Sequence, residues 1–292
     1  MGFNMNFTKM QGAGNDFILV ETGGVDQNWS QMAIAMCNRH FGIGGDGLLL
    51  LLPSDKADFQ MRVFNPDGSE AEACGNGLRC LAKYALHKGL SSPSTHQILV
   101  ETLAGIRIVR LYKVGGKVTK IQVSMGTPKF GAKDIPVAIE PGKGNSVDIK
   151  PLLDYPVTIE GRELLLDFVS MGNPHAVYFG QYPVSDFPLS QLGPRVEQHK
   201  IFPNRVNFEV ARVINRQQIE ARVWERGVGE TLACGSGVCA VAVVAWIHGY
   251  IDNKVDIQLP GGILDVDWDG VGEVFLGGPA EVVFTGKWHN EE

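Results

Sequence analysis

Two short segments of the sequence combine a cysteine with glycines in the same order. Cys74-Gly75-Asn76-Gly77 and Cys234-Gly235-Ser236-Gly237 each precede a run of residues that predicts a helix. The start of a helix presents unpaired N–H groups and the positive end of the helix dipole, so such a turn can hold a carboxylate. A cysteine at this place should have its pKa lowered below the usual value of about 8.5. Each turn therefore predicts a reactive thiol beside a small anion site.

Two thiols on opposite faces of one bound carboxylate would suit inversion of the adjacent carbon atom. A thiolate can remove a proton from one face while a thiol donates a proton to the other, and N–H donors stabilise charge on the carboxylate. Because a thiolate is a weak base for an amino-acid α-carbon, water must be excluded from the site. The residues indicate no separate electron sink, although a lysine that carries pyridoxal stays open at this point.

The two turns belong to an internal repeat with an offset of 160 residues, between 61–86 and 221–246. The matched pairs are Arg62 with Arg222, Val63 with Val223, Glu70 with Glu230, Ala73-Cys74-Gly75 with Ala233-Cys234-Gly235, Gly77 with Gly237, Ala82 with Ala242 and Ala85 with Ala245. A weaker echo relates 14–17 to 172–175. We therefore predict two structurally similar halves, each with one Cys-Gly-x-Gly turn.

In each half, the sequence pattern around the cysteine turn predicts a strand, a loop and a helix. The predicted helices are 78–88 and 238–248, each closed by a glycine, and the second is apolar around its circumference and should be buried on every side. The predicted strands are 61–64, 97–102, 106–114, 117–124, 219–224, 255–259, 263–268 and 281–285. Because no regular βαβ repeat occurs, we expect an α/β (α+β) fold of two pseudo-symmetric domains. Each domain would be a mixed or antiparallel sheet around a central buried helix, with the active site in the cleft between them.

The composition is typical of a water-soluble globular protein. The 292 residues are 44% hydrophobic and 20% charged, and the longest apolar runs are too short to cross a bilayer. The net charge is −6 and the Lys and Arg residues are scattered, which argues against a nucleic-acid partner. Five cysteines, an odd number, and no predicted leader favour a reducing, cytoplasmic location. We expect a small-molecule substrate and no membrane partner, and the sequence leaves a homodimer open.

Other motifs have less specific interpretations. We interpret Cys37, Cys80 and Cys239 as inert core residues. We predict no metal site, because the cysteine spacings of six and five residues do not match zinc knuckles. Residues 42–47 fit a dinucleotide-binding pattern, but a Leu-rich strand follows them instead of a helix. Residues 141–146 predict an exposed loop.

The ordered set of motifs resembles the diaminopimelate epimerase family, whose members work without pyridoxal. The resemblance covers essentially the whole chain, and its motifs are specific as a series. They are 9–17 (KMQGAGNDF), 42–47 (GIGGDG), 64–69 (FNPDGS), 73–77 (ACGNG), 172–175 (GNPH), 205–208 (RVNF), 224–227 (WERG) and 233–237 (ACGSG). The resemblance implies an isomerase that interconverts LL- and meso-diaminopimelate without a cofactor, for lysine and peptidoglycan precursors.

The resemblance also implies a role for each matching residue. Cys74 and Cys234 would be the acid/base thiols, and His175 and Glu225 would assist proton movement beside them. Backbone N–H groups at the two helix starts would hold the reacting carboxylate, from Gly75, Asn76, Gly235 and Ser236. Polar and charged side chains would bind the far end of the substrate, from Asn15, Asn65, Asn173, Asn207, Glu225 and Arg226. Without the resemblance, His175 alone would be interpreted as a hydrogen-bonded core residue.

The resemblance further implies how the chain divides. The two halves would be residues 1–122 with 279–292, and residues 123–278, so that the strand at 281–285 returns to the first half. One position departs from some members of the family, because Gly47 stands where they have Gln. We therefore expect no substrate contact from that side chain.

Two other functions remain open on the sequence. A proline or hydroxyproline racemase would share the fold and the thiol pair, but its ring substrate has no distal charged end for Asn65, Asn173, Asn207 and Arg226 to bind. A non-catalytic carboxylate-binding or thiol-redox protein would keep its activity on other molecules after Cys74→Ala and Cys234→Ala. The epimerase interpretation predicts near-complete loss of activity from either change.

Overall fold

A computed structural model describes residues 3–23, 27–92, 94–131, 133–138 and 152–290. The loop predicted at 141–146 lies outside these residues. The chain divides into two compact units: unit 1 is Met1–Ser124 with Gly277–Glu292, and unit 2 is Met125–Leu276. Within the described ranges, no helix has the length and apolar character needed to cross a membrane.

The chain contains 18 strands and four α-helices within the described residues. Up to Ser124 they are β1 (Phe3–Gly12), β2 (Asn15–Glu21), α1 (Trp29–Cys37), β3 (Gly47–Leu52), β4 (Phe59–Phe64), β5 (Glu70–Ala71), α2 (Gly75–His87), β6 (Gln97–Thr102), β7 (Gly105–Val114) and β8 (Lys117–Ser124). The later elements are β9 (Leu152–Ile159), β10 (Arg162–Ser170), β11 (Pro174–Phe179), a 3-10 turn (Val184–Asp186), α3 (Leu189–Glu197), β12 (Asn207–Asn215), β13 (Gln218–Glu225), β14 (Gly229–Thr231), α4 (Gly235–Ile247), β15 (Lys254–Leu259), β16 (Gly262–Asp267), β17 (Phe275–Gly278) and β18 (Glu281–Asn290).

In unit 1 a mixed sheet packs around helix α2. Strand β1 is antiparallel to both β2 and β18, β2 is parallel to β3, and β3 is antiparallel to β4. Strand β4 is parallel to β6, which continues antiparallel into β7 and β8. Helix α2 contacts strands on several sides, including β1, β3 and β8, and nearly all of its residues from Gly75 to Ala85 are buried. The C-terminal strand β18 thus pairs with β1.

Unit 2 repeats this arrangement around helix α4. Strands β9, β10 and β11 are antiparallel, β11 is parallel to β12, and β12 is antiparallel to β13. Strand β13 is parallel to β15, which is antiparallel to β16. Every residue of α4 from Gly237 to Ala245 is buried, which confirms the prediction made from its apolar circumference. The helix contains four valines, each of which lowers helix propensity slightly. The free energy gained by burying the helix outweighs this loss.

The order of strand pairings is the same in both units, so the internal repeat is confirmed in the topology. The parallel pairs β2–β3 and β11–β12 even share their register, with Phe17 beside Gly47 and His175 beside Asn207. Gly47 and Asn207 are 160 residues apart, the offset found in the sequence. The predicted fold class, a mixed sheet around a buried helix in each of two similar units, is confirmed.

The helices begin three residues earlier than predicted. They start at Gly75 and Gly235, because the N–H groups of Leu78 and Val238 already donate to the carbonyl oxygens of Cys74 and Cys234. Glycines usually interrupt helices, but the first turn needs no internal N–H partners and tolerates them. The C-terminal ends are close to prediction, with positive φ of 72° and 73° at the glycines that follow, Gly89 and Gly249.

Candidate active site

Each of the two predicted thiols is the N-cap residue of its helix. Cys74 and Cys234 have extended backbone, with φ/ψ of −142°/114° and −120°/113°. The N–H of Gly77 donates to Sγ of Cys74 at 3.4 Å, and Sγ of Cys234 lies 3.6 Å from Oγ of Ser236. The residues that follow each cysteine occupy the first helical turn, where N–H groups have no intrahelical acceptor. Their backbone N–H groups, from Gly75, Asn76, Gly235 and Ser236, are therefore suited to an anion in each unit.

Equivalent ion pairs support the two cysteine turns. Nε of Arg62 lies 2.7 Å from Oε1 of Glu70, and Nε of Arg222 lies 2.8 Å from Oε1 of Glu230. Each pair joins a long strand, β4 or β13, to the short strand, β5 or β14, that leads into the cysteine turn. The arginine and glutamate matches of the sequence repeat are therefore matched contacts in the structure.

In unit 1, amide side chains connect the start of β2 to the start of α2. Nδ2 of Asn76 donates to Oδ1 of Asn15 at 3.0 Å, and Nδ2 of Asn15 donates to Asp46 at 2.8 Å. Oδ1 of Asn76 accepts from the buried guanidinium of Arg79 at 2.7 Å. Asn65 lies in the turn after β4, where its Nδ2 donates to Ser69 at 2.9 Å. Unit 1 thus brings Asn15 and Asn76 together at the start of the helix that Cys74 caps.

Cationic side chains surround Asp46, which accepts from Asn15, and the nearby carboxylate of Asp16. Asp16 lies 2.5 Å from Nζ of Lys9 and 2.7 Å from Nη2 of Arg39, which also contacts Asp46 at 2.7 Å. Burial opposes ionisation of Asp16, but hydrogen bonds from Arg39 and Lys9 outweigh it and lower the pKa of Asp16 to about 2. This ion-pair group fixes the loop between α1 and β3 against the start of β2.

In unit 2 a series of hydrogen bonds leads from the core to Cys234. The His175 ring is fully buried, with Nδ1 2.7 Å from Oε1 of Glu209 and Nε2 2.9 Å from Oδ1 of Asn173. Nδ2 of Asn173 donates to Oγ of Ser236 at 3.3 Å, and Ser236 contacts Cys234. Four predicted site residues are therefore joined in one network within unit 2.

Glu209 is the member of this network that the sequence analysis did not single out. It lies in β12 between the buried apolar residues Phe208 and Val210, and its own side chain is fully buried. A carboxylate in the apolar half of a strand is rarely buried without a partner. The buried position of Glu209 in an apolar strand could have marked it as a functional candidate. To link it to His175, one must also know that β11 and β12 are neighbours.

The remaining predicted residues of unit 2 stabilise the turn after β13. Nδ2 of Asn207 donates to the carbonyl oxygen of Pro174 at 2.9 Å, and Oδ1 accepts from the N–H of Arg226 at 2.9 Å. The exposed guanidinium of Arg226 donates to the carbonyl oxygen of Asn204 at 3.1 Å. Oε1 of Glu225 accepts from the hydroxyl of Thr231 at 2.5 Å.

The predicted lowering of the thiol pKa is wrong for Cys234. Burial of the thiol raises its pKa well above the usual value, and the nearby carboxylates of Glu225 and Glu209 raise it further. Hydrogen bonds from Ser236 and from the N–H of Gly237 favour the thiolate but do not compensate. The helix position was visible in the sequence, whereas the burial and the two carboxylates depend on tertiary structure.

The other three cysteines lie in the interior. Cys37 ends α1, while Cys80 and Cys239 lie within α2 and α4 as predicted, and all three are buried. Burial raises the pKa of Cys37 to about 11 and that of Cys80 to about 12, which suppresses their reactivity as thiolates. All five cysteines fall within the described ranges, and none of them forms a disulfide.

Comparison with known proteins identifies the family. The family described as Diaminopimelate epimerase matches residues 7–131 and 168–283. A relative from Acetivibrio thermocellus, named diaminopimelate epimerase, is 46% identical over 285 residues, which are 97% of this chain and 98% of the relative. A relative of the same name from Moorella thermoacetica is also 46% identical, over 97% of this chain and 99% of its own length.

Among solved structures, the fold is similar to that of a hydroxyproline epimerase from Agrobacterium vitis, with a TM-score of 0.70. That match covers 99% of this chain and 93% of the other at 15% identity, so it supports the fold alone. The family match and the near full-length relatives confirm the predicted resemblance and the predicted reaction class, an isomerase. The chain belongs to the diaminopimelate epimerase family.

Proposed function

We propose that this chain interconverts LL- and meso-diaminopimelate by a two-base reaction without a cofactor. The observation that carries the proposal is the equivalent capping of α2 by Cys74 and of α4 by Cys234, in a chain whose close relatives bear this enzyme name. A repeated fold supplies one thiol from each unit, and inversion of a carbon atom requires one group on each face.

In the proposed reaction, the thiolate of one cysteine takes the proton from the α-carbon of the substrate. The electron pair of the C–H bond moves toward the carboxylate, and the thiol of the other cysteine delivers its proton to the opposite face. The reaction ends with the two sulfur atoms in exchanged protonation states, so the same pair serves the reverse direction. We infer that Cys234 begins as the thiol, because its burial and its carboxylate neighbours disfavour the thiolate.

The first-turn N–H groups of α2 and α4 would hold the reacting carboxylate and stabilise its developing charge. Polar and charged side chains would bind the distal ammonium and carboxylate of the substrate. They are those of Asn15, Asn65, Asn173, Asn207, Glu225 and Arg226. Hydrogen bonds to neighbouring residues hold these asparagine side chains in place. Glu225 would also assist proton movement at Cys234, and His175 would act from the buried network.

We further propose that units 1 and 2 are the two halves of the enzyme. The cytoplasm is the expected location, because reactive thiols need a reducing environment. The substrate would be a small molecule, with no nucleic-acid or membrane partner, and a homodimer is the assembly to test. The product would supply lysine and peptidoglycan precursors.

The proposal is tested by incubating the reduced protein with LL-diaminopimelate in deuterated water. We expect deuterium at the α-carbon and formation of the meso isomer, both followed by NMR. Folded protein that gives neither would overturn the proposal. Conversion of L-proline under the same conditions, without conversion of diaminopimelate, would indicate a ring racemase instead.

Substitutions then assign the thiols. Cys74→Ser and Cys234→Ser should each lower turnover by several orders of magnitude, because each face needs its own acid or base. Cys239→Ala is the matched control, since it lies one turn further along α4 and is fully buried. Full turnover in either thiol variant would contradict the two-base reaction, while an equal loss of turnover in the control would indicate that the substitutions disturb folding.

A further inference from the structure

The interior of unit 2 contains an ionisable pair that the proposed reaction does not use directly. Glu209 and His175 have no measurable solvent exposure, and their Oε1 and Nδ1 atoms are 2.7 Å apart. Oε2 of Glu209 has no hydrogen-bond partner among the described residues. Burial of ionisable groups costs free energy, which pairing and hydrogen bonds offset only in part.

Unit 1 demonstrates that the fold does not require this pair. At the equivalent positions it has Phe17 in β2 and Leu49 in β3, which are also buried. The equivalence follows from the strand registers, because Leu49 pairs with Leu19 just as Glu209 pairs with Val177. The same position in the repeated architecture is therefore apolar beside one cysteine helix and ionisable beside the other.

The hydrogen bonds of unit 2 have a defined direction. Nε2 of His175 faces the carbonyl oxygen Oδ1 of Asn173, so Nε2 must carry the hydrogen. The remaining proton of the pair lies between Nδ1 and Oε1 of Glu209. Because Nδ2 of Asn173 donates to Oγ of Ser236, that hydroxyl is free to direct its own hydrogen at Sγ of Cys234, 3.6 Å away.

Glu209 also packs directly against the first turn of α4. A Cβ atom on Gly237 would lie 2.8 Å from Oε1 of Glu209, so only glycine allows this approach. The carboxyl group therefore lies between the His175 ring and the start of the helix that Cys234 caps.

We propose that Glu209 is a positioning residue for Cys234, which acts through His175, Asn173 and Ser236 to present a hydroxyl hydrogen to the sulfur atom. The Glu209–His175 pair determines which atom donates in each hydrogen bond from His175 to Cys234. The Ser236 hydroxyl then donates to the sulfur and favours the thiolate that Cys234 must form in one direction of the reaction. This role rests on the proposed function, and it makes the two thiols unequal, since unit 1 has no hydroxyl at Asn76, the equivalent of Ser236.

A simple charge effect predicts the opposite result. The carboxylates of Glu225 and Glu209 face Cys234 from β13 and β12, and both disfavour the thiolate. If Glu209 acted only as a nearby negative charge, its removal would lower the pH at which Cys234 ionises. If it acts through the series, an amide oxygen in its place accepts the single hydrogen of a neutral His175 at Nδ1. Asn173 then turns its N–H toward Nε2 and its oxygen toward Ser236, which draws the hydroxyl hydrogen away from the sulfur.

The test measures the pH midpoint of Cys234 alkylation by iodoacetamide, read from the Cys234 peptide by mass spectrometry. We expect Glu209→Gln to raise this midpoint by about half a pH unit to one unit, which is a loss of roughly three- to tenfold in thiolate below the midpoint. Ser236→Ala should raise it similarly, and Glu209→Gln should add nothing further in the Ser236→Ala background.

A second variant preserves packing if Glu209→Gln is unstable. The double change His175→Phe with Glu209→Leu installs the apolar pair that unit 1 already accommodates, and it should also raise the midpoint. Asp167→Asn is the matched control, because Asp167 is a buried carboxylate 3.2 Å from His248, at the opposite end of α4. It should leave the midpoint unchanged.

An unchanged or lowered midpoint in Glu209→Gln, or an equal rise with and without Ser236, would overturn the proposal. Alkylation does not depend on turnover, so these results stand whether or not the wild-type protein epimerises diaminopimelate. Conversely, an inactive wild-type protein would overturn the proposed function and leave the measured coupling to Cys234 intact.

Discussion

Gly237 and Glu209 lie so close that a Cβ atom on the glycine would stand 2.8 Å from the carboxyl oxygen Oε1. In unit 1 the equivalent glycine is Gly77, and a Cβ atom placed on it would lie 2.9 Å from Cδ2 of Leu49. In both units the helix that follows the cysteine therefore rests directly on the neighbouring strand. The two neighbouring side chains differ in how easily they can shift. The end of the Leu49 side chain can move, whereas the Glu209 carboxyl group is held by its hydrogen bond to His175.

This difference gives the first prediction. Gly237→Ala should lower the stability of the protein by about 2–3 kcal/mol, because the Glu209 carboxyl group is held by His175. Gly77→Ala should cost about 1 kcal/mol, because the end of Leu49 can adjust. The measurement is thermal unfolding followed by circular dichroism. Equal effects of the two substitutions would indicate that the carboxyl group is as movable as the leucine.

The sequence predicted the parts of this protein that depend on local pattern. The repeat at an offset of 160 residues predicted two units of one topology, and the apolar circumference of 238–248 predicted a helix buried on all sides. The Cys-Gly-x-Gly turns predicted helix starts beside thiols, although glycines led to a start three residues too late. Glycine in a sequence usually indicates that a helix is interrupted, and only the capping geometry shows that these glycines lie within the first helical turn.

The parts that the sequence did not predict depend on which strands become neighbours. Glu209 was missed because its partner His175 lies 34 residues away on the adjacent parallel strand. The raised pKa of Cys234 was missed for the same reason, since burial and two carboxylates from β12 and β13 outweigh the helix position. Long-range electrostatics of this kind follow from strand order rather than from motifs.

The two arginine–glutamate pairs provide a second prediction. Arg222 donates not only to Glu230 but also, through Nη1, to the carbonyl oxygens of Val184 and Phe187 at 2.9 and 3.0 Å. Arg222→Ala should therefore lower the free energy of unfolding by about 2 kcal/mol, since it leaves two carbonyl groups without this donor. Arg62→Ala should cost about 1 kcal/mol or less, because its partly exposed pair is solvated. A larger loss from Arg62→Ala, measured by urea unfolding, would contradict this ranking.

Acid sensitivity of unit 1 is a third prediction. The pKa of Asp16 is about 2 in the folded chain against 3.8 for the unperturbed group, so its carboxylate stabilises the fold above about pH 4. This contribution is lost as the pH falls through 2. Asp16→Asn should therefore lower stability by about 2 kcal/mol at pH 7 and have little effect near pH 2. Exposed Asp256→Asn is the control and should have little effect at either pH. A pH-independent loss in Asp16→Asn would indicate a packing defect instead.

The last prediction separates the two carboxylates that face Cys234. Glu225 accepts a hydrogen bond from Thr231, and its negative charge raises the pKa of Cys234. Unlike Glu209, it has no hydrogen bond to His175, Asn173 or Ser236 among the described contacts. Its removal should therefore act through charge alone, so Glu225→Gln should lower the pH midpoint of Cys234 alkylation, by roughly half a pH unit. Thr231→Val, which removes the hydroxyl and keeps the carboxylate, should not lower it. A rise in Glu225→Gln would mean that this carboxylate supports the thiolate through a donor, and the opposite signs expected for Glu225 and Glu209 would then lose their physical basis.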